Sequence, residues 1–312
     1  MSLVLDDAAI LAARGPRAKL DPERPYAVHS ESETLADGTR AQVLTVFLTN
    51  RECPFRCLMC DLWTHTLTHT PAPGQVVRQI EWAMGQAPGF DHIKLYNAGS
   101  FFDRKAFPPE DLPEVAQVLG RTRRVIVENH PALCGDAVFE FAARIHGRLE
   151  VALGLETAHP GVLERLNKRM TVADFEHAAR RLRRGGVDVR TFVLVRPPFM
   201  NEDEGIHWAV ESARVAWQAG AQVVTLIPTR AGNGIMDQLQ RNGHFTPPTV
   251  KALESAVEQT LAQTPPGVRV FGDLWDVDRL EGCARCAQNR QARIARMNRD
   301  QRVPTPVLCD AC

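Results

Sequence analysis

The stretch Val43-Leu44-Thr45-Val46-Phe47-Leu48-Thr49-Asn50-Arg51-Glu52-Cys53-Pro54-Phe55-Arg56-Cys57-Leu58-Met59-Cys60 decides the fold. Residues 43–48 form a near-continuous apolar run, the pattern of a strand covered on both faces. The loop that follows places three thiols between positions 53 and 60. A loop this short wraps one small inorganic centre, and three thiolates around a four-iron cluster leave one iron open for a further ligand. A closed zinc site with His65 or His69 as fourth ligand is the alternative. The position favours the open cluster, because functional loops of α/β barrels follow the carboxyl ends of strands.

Outward from this loop the chain alternates. Further strands are expected at 92–96, 124–127, 149–155, 187–195, 223–227 and 268–271. Helices are expected at 75–86, 112–119, 136–146, 172–184, 203–219 and 248–262. Gly185-Gly186 and Gly220 stop two of them. Six strand–helix units and a seventh strand imply a parallel sheet with right-handed crossovers. A complete barrel has eight units, so the expected fold is α/β, a partial (β/α)6 TIM-type barrel; a doubly wound open sheet is the competing architecture. The expected division is an N-terminal extension over 1–40, the barrel over 41–275 and a small Cys-rich C-terminal segment over 276–312.

The 312 residues carry 37 basic and 37 acidic side chains, which argues against a whole-surface nucleic-acid binder. No apolar run reaches the length of a membrane span, and the N-terminus has acids where a secretory signal has basic residues. Seven of eight cysteines fall in tight clusters, which in a reducing compartment means metal or redox chemistry. A cytoplasmic location is the expectation.

The tail pairs Cys283-Ala-Arg-Cys286 with Cys309-Asp-Ala-Cys312. Two such knuckles read as a four-thiolate site, and tetrahedral sulfur serves zinc or an auxiliary [4Fe–4S] cluster alike. Arg290, Arg293, Arg296, Arg299 and Arg302 recur every third residue between the knuckles. On a helix they would share one side, either as a contact for RNA phosphates or as a solvated face. Cys134 stands alone and reads as a small buried hydrophobe.

The CxxxCxxC loop after the first strand of a six-unit partial barrel resembles the radical S-adenosylmethionine (SAM) superfamily. Gly154-Leu155-Glu156-Thr157, Val162-Leu163-Glu164-Arg165-Leu166-Asn167-Lys168, Arg196-Pro197-Pro198-Phe199, Ile227-Pro228-Thr229 and Asn97-Ala98-Gly99-Ser100-Phe101-Phe102-Asp103 resemble its tRNA-elongator and methylthiotransferase branch. Within that branch they look closest to a subgroup that includes the archaeosine synthase radical SAM subunit. Met59 stands where the superfamily usually has an aromatic residue, and Ser100 where it often has an acid.

The resemblance implies that Cys53, Cys57 and Cys60 hold a [4Fe–4S] cluster whose open iron binds SAM. It implies reductive cleavage to a 5′-deoxyadenosyl radical, hydrogen abstraction from a substrate, and an electron donor such as flavodoxin or ferredoxin. Gly99, Ser100, Glu156 and Arg190 are the candidate SAM contacts. A tRNA nucleoside or a small biosynthetic intermediate is the expected substrate, and Asn167-Lys168 admits the plainer reading of a solvated helix end. The competing expectation for the whole chain is a zinc-stabilised α/β binding protein without SAM chemistry.

Overall fold

A computed structural model of the chain describes residues 5–87 and 89–312. Eight strands form one curled sheet in chain order: β1 Ala27–Thr34, β2 Arg40–Leu48, β3 His92–Asn97, β4 Arg124–Asn129, β5 Arg148–Glu156, β6 Asp188–Val195, β7 Val223–Pro228 and β8 Arg269–Gly272. The strands from β2 to β8 run parallel, and β1 lies antiparallel on the β2 edge. The helices are α1 Asp7–Ala12, α2 Gln75–Gln86, α3 Leu112–Val118, α4 Asp136–Arg144, α5 Pro160–Arg165, α6 Val172–Arg184, α7 Glu202–Gln218, α8 Ile235–Arg241, α9 Val250–Gln263 and α10 Ala287–Asp300. Helices α2, α3, α4, α6, α7 and α9 are the crossovers between successive parallel strands, so the expected partial barrel is the fold.

Local chemistry sets these helices. Thr171 and Asp174 cap α6 reciprocally, as Asn201 and Glu204 cap α7, each pair satisfying two otherwise orphaned backbone donors. Outward-facing Leu44, Val46, Leu48, Ile93, Leu95, Val151 and Leu153 pack beneath the helices in one continuous apolar core.

Alternation along the strands sends every second residue inward, and these residues form tiers. The floor is ionic. Arg190 donates to Glu150 at 2.7 Å and to Glu33 at 2.5 Å, and Lys94 pairs with Glu33 at 2.8 Å. Arg124 bridges Glu150 at 2.8 Å and Asp188 at 2.7 Å. Above the floor, Phe47 is in register with Tyr96, Gly154 with Phe192, Phe192 with Thr225, and Thr225 with Phe271. The Tyr96 and Phe192 rings meet edge to face at 6.1 Å across the lumen. Phe47, Tyr96, Glu128, Phe192, Thr225 and Phe271 are all half-buried, so this middle tier lines an accessible lumen above a sealed floor.

Residues 5–40 are built into the fold. Strand β1 supplies Glu33 to the floor, and α1 packs over the cysteine loop through Ile10. The two edge strands meet through side chains: Arg269 of β8 reaches Glu33 of β1 at 3.4 Å and the Thr34 carbonyl at 3.1 Å. Helix α10 lies across this seam, where Thr34 donates its hydroxyl to the Arg299 carbonyl at 2.7 Å. Among the described residues no helix is long and apolar enough to cross a membrane.

Candidate cofactor site at the barrel rim

Cys53, Cys57 and Cys60 lie on the β2–α2 loop, at the carboxyl rim above the lumen. The loop is held from four directions. Leu58 donates its backbone N–H to the Leu166 carbonyl at 2.8 Å. Asn233, buried in the loop after β7, donates to the carbonyls of Leu58 at 2.8 Å and Cys60 at 3.1 Å. Asn167 donates to the Arg56 carbonyl and to Asp7, both at 2.8 Å. Glu52 gathers Arg14 at 2.6 Å, Arg56 at 3.1 Å and also Arg17.

Burial pushes the thiols of Cys53 and Cys57 up to about 11 and that of Cys60 up to about 12. Thiolates in this place therefore need a cationic centre beside them. Three soft donors suit an iron–sulfur centre. His65 instead stacks on Tyr26 at 4.8 Å, and His69 is exposed.

Gly99 abuts this loop. A Cβ there would stand 3.5 Å from the Cys53 Cβ and 3.3 Å from the Asn97 amide nitrogen. Both side-chain atoms of Asn97 and the Oδ1 of Asn50 are buried with no partner. Orphaned polar groups next to a thiol loop are what a polar ligand satisfies. The hydroxyl of Ser100 is already engaged, accepting the His130 backbone N–H at 2.9 Å.

Glu156 ends β5 with φ 66° and takes Lys168 in a buried ion pair at 2.5 Å. The reading of Asn167-Lys168 as a solvated helix end is overturned, because positive φ at Asn167 and Arg169 turns the chain so that Lys168 points inward. Burial works against its ammonium, but the facing Glu156 and the nearby thiols outweigh that and hold it charged. Gly154 makes room for the pair, since a Cβ there would collide with the Glu156 carboxylate and stand 2.6 Å from the Lys168 nitrogen. Among the described residues, five of the seven non-glycine residues with positive φ, namely Glu156, Asn167, Arg169, Arg196 and Phe199, end or follow β5 or β6 at this rim. Such backbone strain collects at functional sites.

His130 braces the cluster loop. Its ring stacks on Phe55 at 3.7 Å, and its Nδ1 accepts the Ala132 N–H at 3.1 Å. The proton therefore sits on Nε2, which donates to the Lys168 carbonyl at 3.0 Å. Burial, aided by the Lys168 charge, lowers its pKa to about 4, so it stays neutral.

Glu128 is the acid that faces the lumen. Burial pushes its carboxyl up to about 8, so at neutral pH it is mostly a neutral hydrogen-bonding group. Neither Glu128 nor Lys168 was singled out as a ligand from sequence. The available signal was an acid at an inward position ending the apolar run Val125-Ile126-Val127, and a lysine twelve residues after Glu156.

Arg190 is not gathered with Gly99, Ser100 and Glu156. It occupies the floor, locked between Glu33 and Glu150. It lies near the start of β6, so alternation aims it inward but below the rim. Arg196 turns to Glu202 at 3.3 Å and the Pro247 carbonyl at 3.1 Å. Cys134 is buried, accepts from Asn129 at 3.4 Å, and has its thiol pushed up to about 11 by burial, the profile of an inert cysteine.

The tail cysteines close tightly. Cys283 lies 3.9 Å from Cys309 and Cys286 lies 3.6 Å from Cys312, sulfur to sulfur. The arginine stripe between the knuckles is divided. Arg290 and Arg293 are buried against Glu254, and Arg293 also pairs with Glu258 at 2.6 Å; Arg296, Arg299 and Arg302 remain exposed.

A partial barrel with a three-cysteine loop on its carboxyl rim resembles the radical SAM enzymes. Among curated proteins it is similar to archaeosine synthase subunit beta of Methanosarcina acetivorans, 24% identical over 274 residues, covering 84% of this chain and 79% of the relative. The same-named protein of Thermococcus kodakarensis is 29% identical over 165 residues, covering 50% of this chain and 51% of the relative. The fold is similar to that of methylornithine synthase, PylB, with a TM-score of 0.55 at 12% identity over 93% of this chain and 80% of that one. No protein-family profile matches the chain.

Proposed function

We propose that this chain cleaves SAM reductively at a [4Fe–4S] cluster held by Cys53, Cys57 and Cys60 and abstracts a hydrogen atom from a substrate in the barrel lumen. One observation carries the reading: the half-buried trio crosses the rim directly above an accessible, aromatic-lined lumen, beside the unpartnered amide of Asn97 and the unpartnered Oδ1 of Asn50. When bound, the cluster and SAM supply the electron transfer and the 5′-deoxyadenosyl radical.

The chain's own residues bind, orient and exclude water. Gly99 lets the β3 loop approach closely. The Glu156–Lys168 pair sets one fixed charge of each sign at the rim, suited to a zwitterionic ligand. Ser100 serves through its backbone neighbourhood, its hydroxyl being used by His130. Phe47, Tyr96, Phe192 and Phe271 make a dry wall for a planar substrate, and Glu128 offers it a neutral carboxyl. Arg190 supports the floor beneath them.

For the substrate we favour a nucleoside in tRNA. The support is the sequence branch the chain resembles and the name of its relatives, which also supports a partner subunit. A flavodoxin or ferredoxin would deliver the electron. Anaerobic reconstitution tests the reading: four irons at the trio and 5′-deoxyadenosine on adding SAM and reductant are expected. Zinc at the trio with no cleavage would sink it and leave the zinc-stabilised binding protein.

A further inference from the structure

We infer that the tail cysteines bind one zinc ion, and that this ion is a structural clamp fastening α10 across the seam of the open barrel. Geometry separates a single ion from a second cluster. Four thiolates around one zinc at a Zn–S distance of 2.3 Å stand about 3.8 Å apart along each tetrahedral edge. The measured separations are 3.9 Å for Cys283–Cys309 and 3.6 Å for Cys286–Cys312, and all four sulfurs lie within 4.8 Å of one another. A cubane cluster takes each thiolate at a different iron corner and holds them further apart. Among the described residues these four form the only group of metal-ligating side chains drawn this close.

The surroundings match the charge such a site carries. Zinc and four thiolates sum to two negative charges, the four thiol protons passing to solvent on binding. Arg290 donates its Nε–H to the Cys286 sulfur at 3.2 Å and reaches the Cys312 sulfur at 3.8 Å, so a guanidinium is built against the ligands. Its other face is taken by Glu254. Within the four-thiolate class, zinc outcompetes ferrous iron for the same donors in the order of divalent affinities.

Placement gives the ion its task. Cys286 caps the start of α10, and Cys309 and Cys312 end the returning strand of chain. Between them α10 packs on α9, β8 and β1, joining the two edges of a sheet that does not close. Arg293 ties the return strand to the same helix through the carbonyls of Thr305 at 2.9 Å and Pro304 at 2.7 Å. The zinc is the remaining cross-link in that strap.

The test uses the full chain carrying Cys53→Ala, Cys57→Ala and Cys60→Ala together, so that only the tail can hold metal. One zinc per chain and no acid-labile sulfide are expected. Iron with sulfide, or a single iron, overturns the inference. X-ray absorption at the zinc edge of the same protein should show four sulfur neighbours, and any nitrogen or oxygen neighbour overturns it. Adding Cys286→Ser should remove the zinc and lower the melting temperature. Should that variant misfold, cobalt exchanged into the triple variant should give thiolate-to-cobalt charge-transfer absorption with tetrahedral d–d bands; octahedral bands refute the site.

Discussion

Cys53, Cys57 and Cys60 cross the mouth of the barrel on a loop braced by α1, Glu52, Asn167 and Asn233, while Cys283, Cys286, Cys309 and Cys312 fold onto one another at the far side of the seam. Both groups use short cysteine spacings. The trio faces the lumen and leaves polar neighbours unsatisfied. The tail four are compact and are backed by an arginine. A centre that must bind something else needs a vacant position and unsatisfied neighbours; a centre that only holds chain together needs neither.

The largest effects should cross over between the two groups. Cys57→Ala should abolish 5′-deoxyadenosine formation, measured by chromatography, with little change in melting temperature. Cys286→Ala should do the reverse, lowering the melting temperature by roughly 5–10 °C while leaving cleavage measurable at low temperature. If both variants lose cleavage equally at low temperature, the division of labour fails.

Lys168→Met tests whether the rim pair belongs to the trio's chemistry. It leaves Glu156 buried and unpaired, a change that costs about 3–5 kcal/mol. Calorimetry should show that loss, and SAM affinity by titration should fall at least tenfold in whatever folds. The double variant Lys168→Met with Glu156→Leu should recover stability but not SAM affinity. Recovery of both would reduce the pair to a structural one.

Glu128 sharpens the contrast by pH. Its folded-state carboxyl titrates near 8, above the ordinary 4.5, so the fold favours the protonated form. As pH rises through 4.5 the unfolded chain ionises first, and wild-type stability falls until the folded carboxyl also ionises near 8. Glu128→Gln removes that penalty, on the order of 5 kcal/mol in full. Its melting temperature should gain on wild type between pH 5 and 8 and run parallel above. A gap that does not vary with pH would place Glu128 in ordinary hydrogen bonding.

The smallest effect is expected on the tail stripe. Arg296→Gln lies on the exposed side of α10 and should shift stability by under about 0.5 kcal/mol. Arg293→Gln breaks its bonds to Glu254, Glu258 and the return strand, and should cost several times more by denaturant titration. Equal costs would mean the stripe is a uniform solvated face.

The alternation of apolar strands with helices, and the loop after residues 43–48, made the partial barrel legible before any coordinates. The tiers were not legible. Arg190 and Gly154 both lie inward, and the period of two that says so is silent about height along the strand. Register supplied it, putting Arg190 on the floor and Gly154 beneath the rim pair. Strand β1 was also hidden, because its run Ala27 to Thr34 is polar; its acids point at the floor's cations. The arginine period of three suggested one exposed side, yet two of those arginines are drawn inward by Glu254, an acid thirty-six residues before Arg290.

The sequence by itself therefore determined the two cysteine groups and the elements that carry them, because spacing and hydrophobic period are local properties. Only the tertiary structure decided what surrounds each cysteine group. The distance between sulfurs, the inward turn of Lys168, the neutrality of Glu128 and the seam that α10 covers all arise from residues far apart in the chain, brought together by the curl of one unclosed sheet.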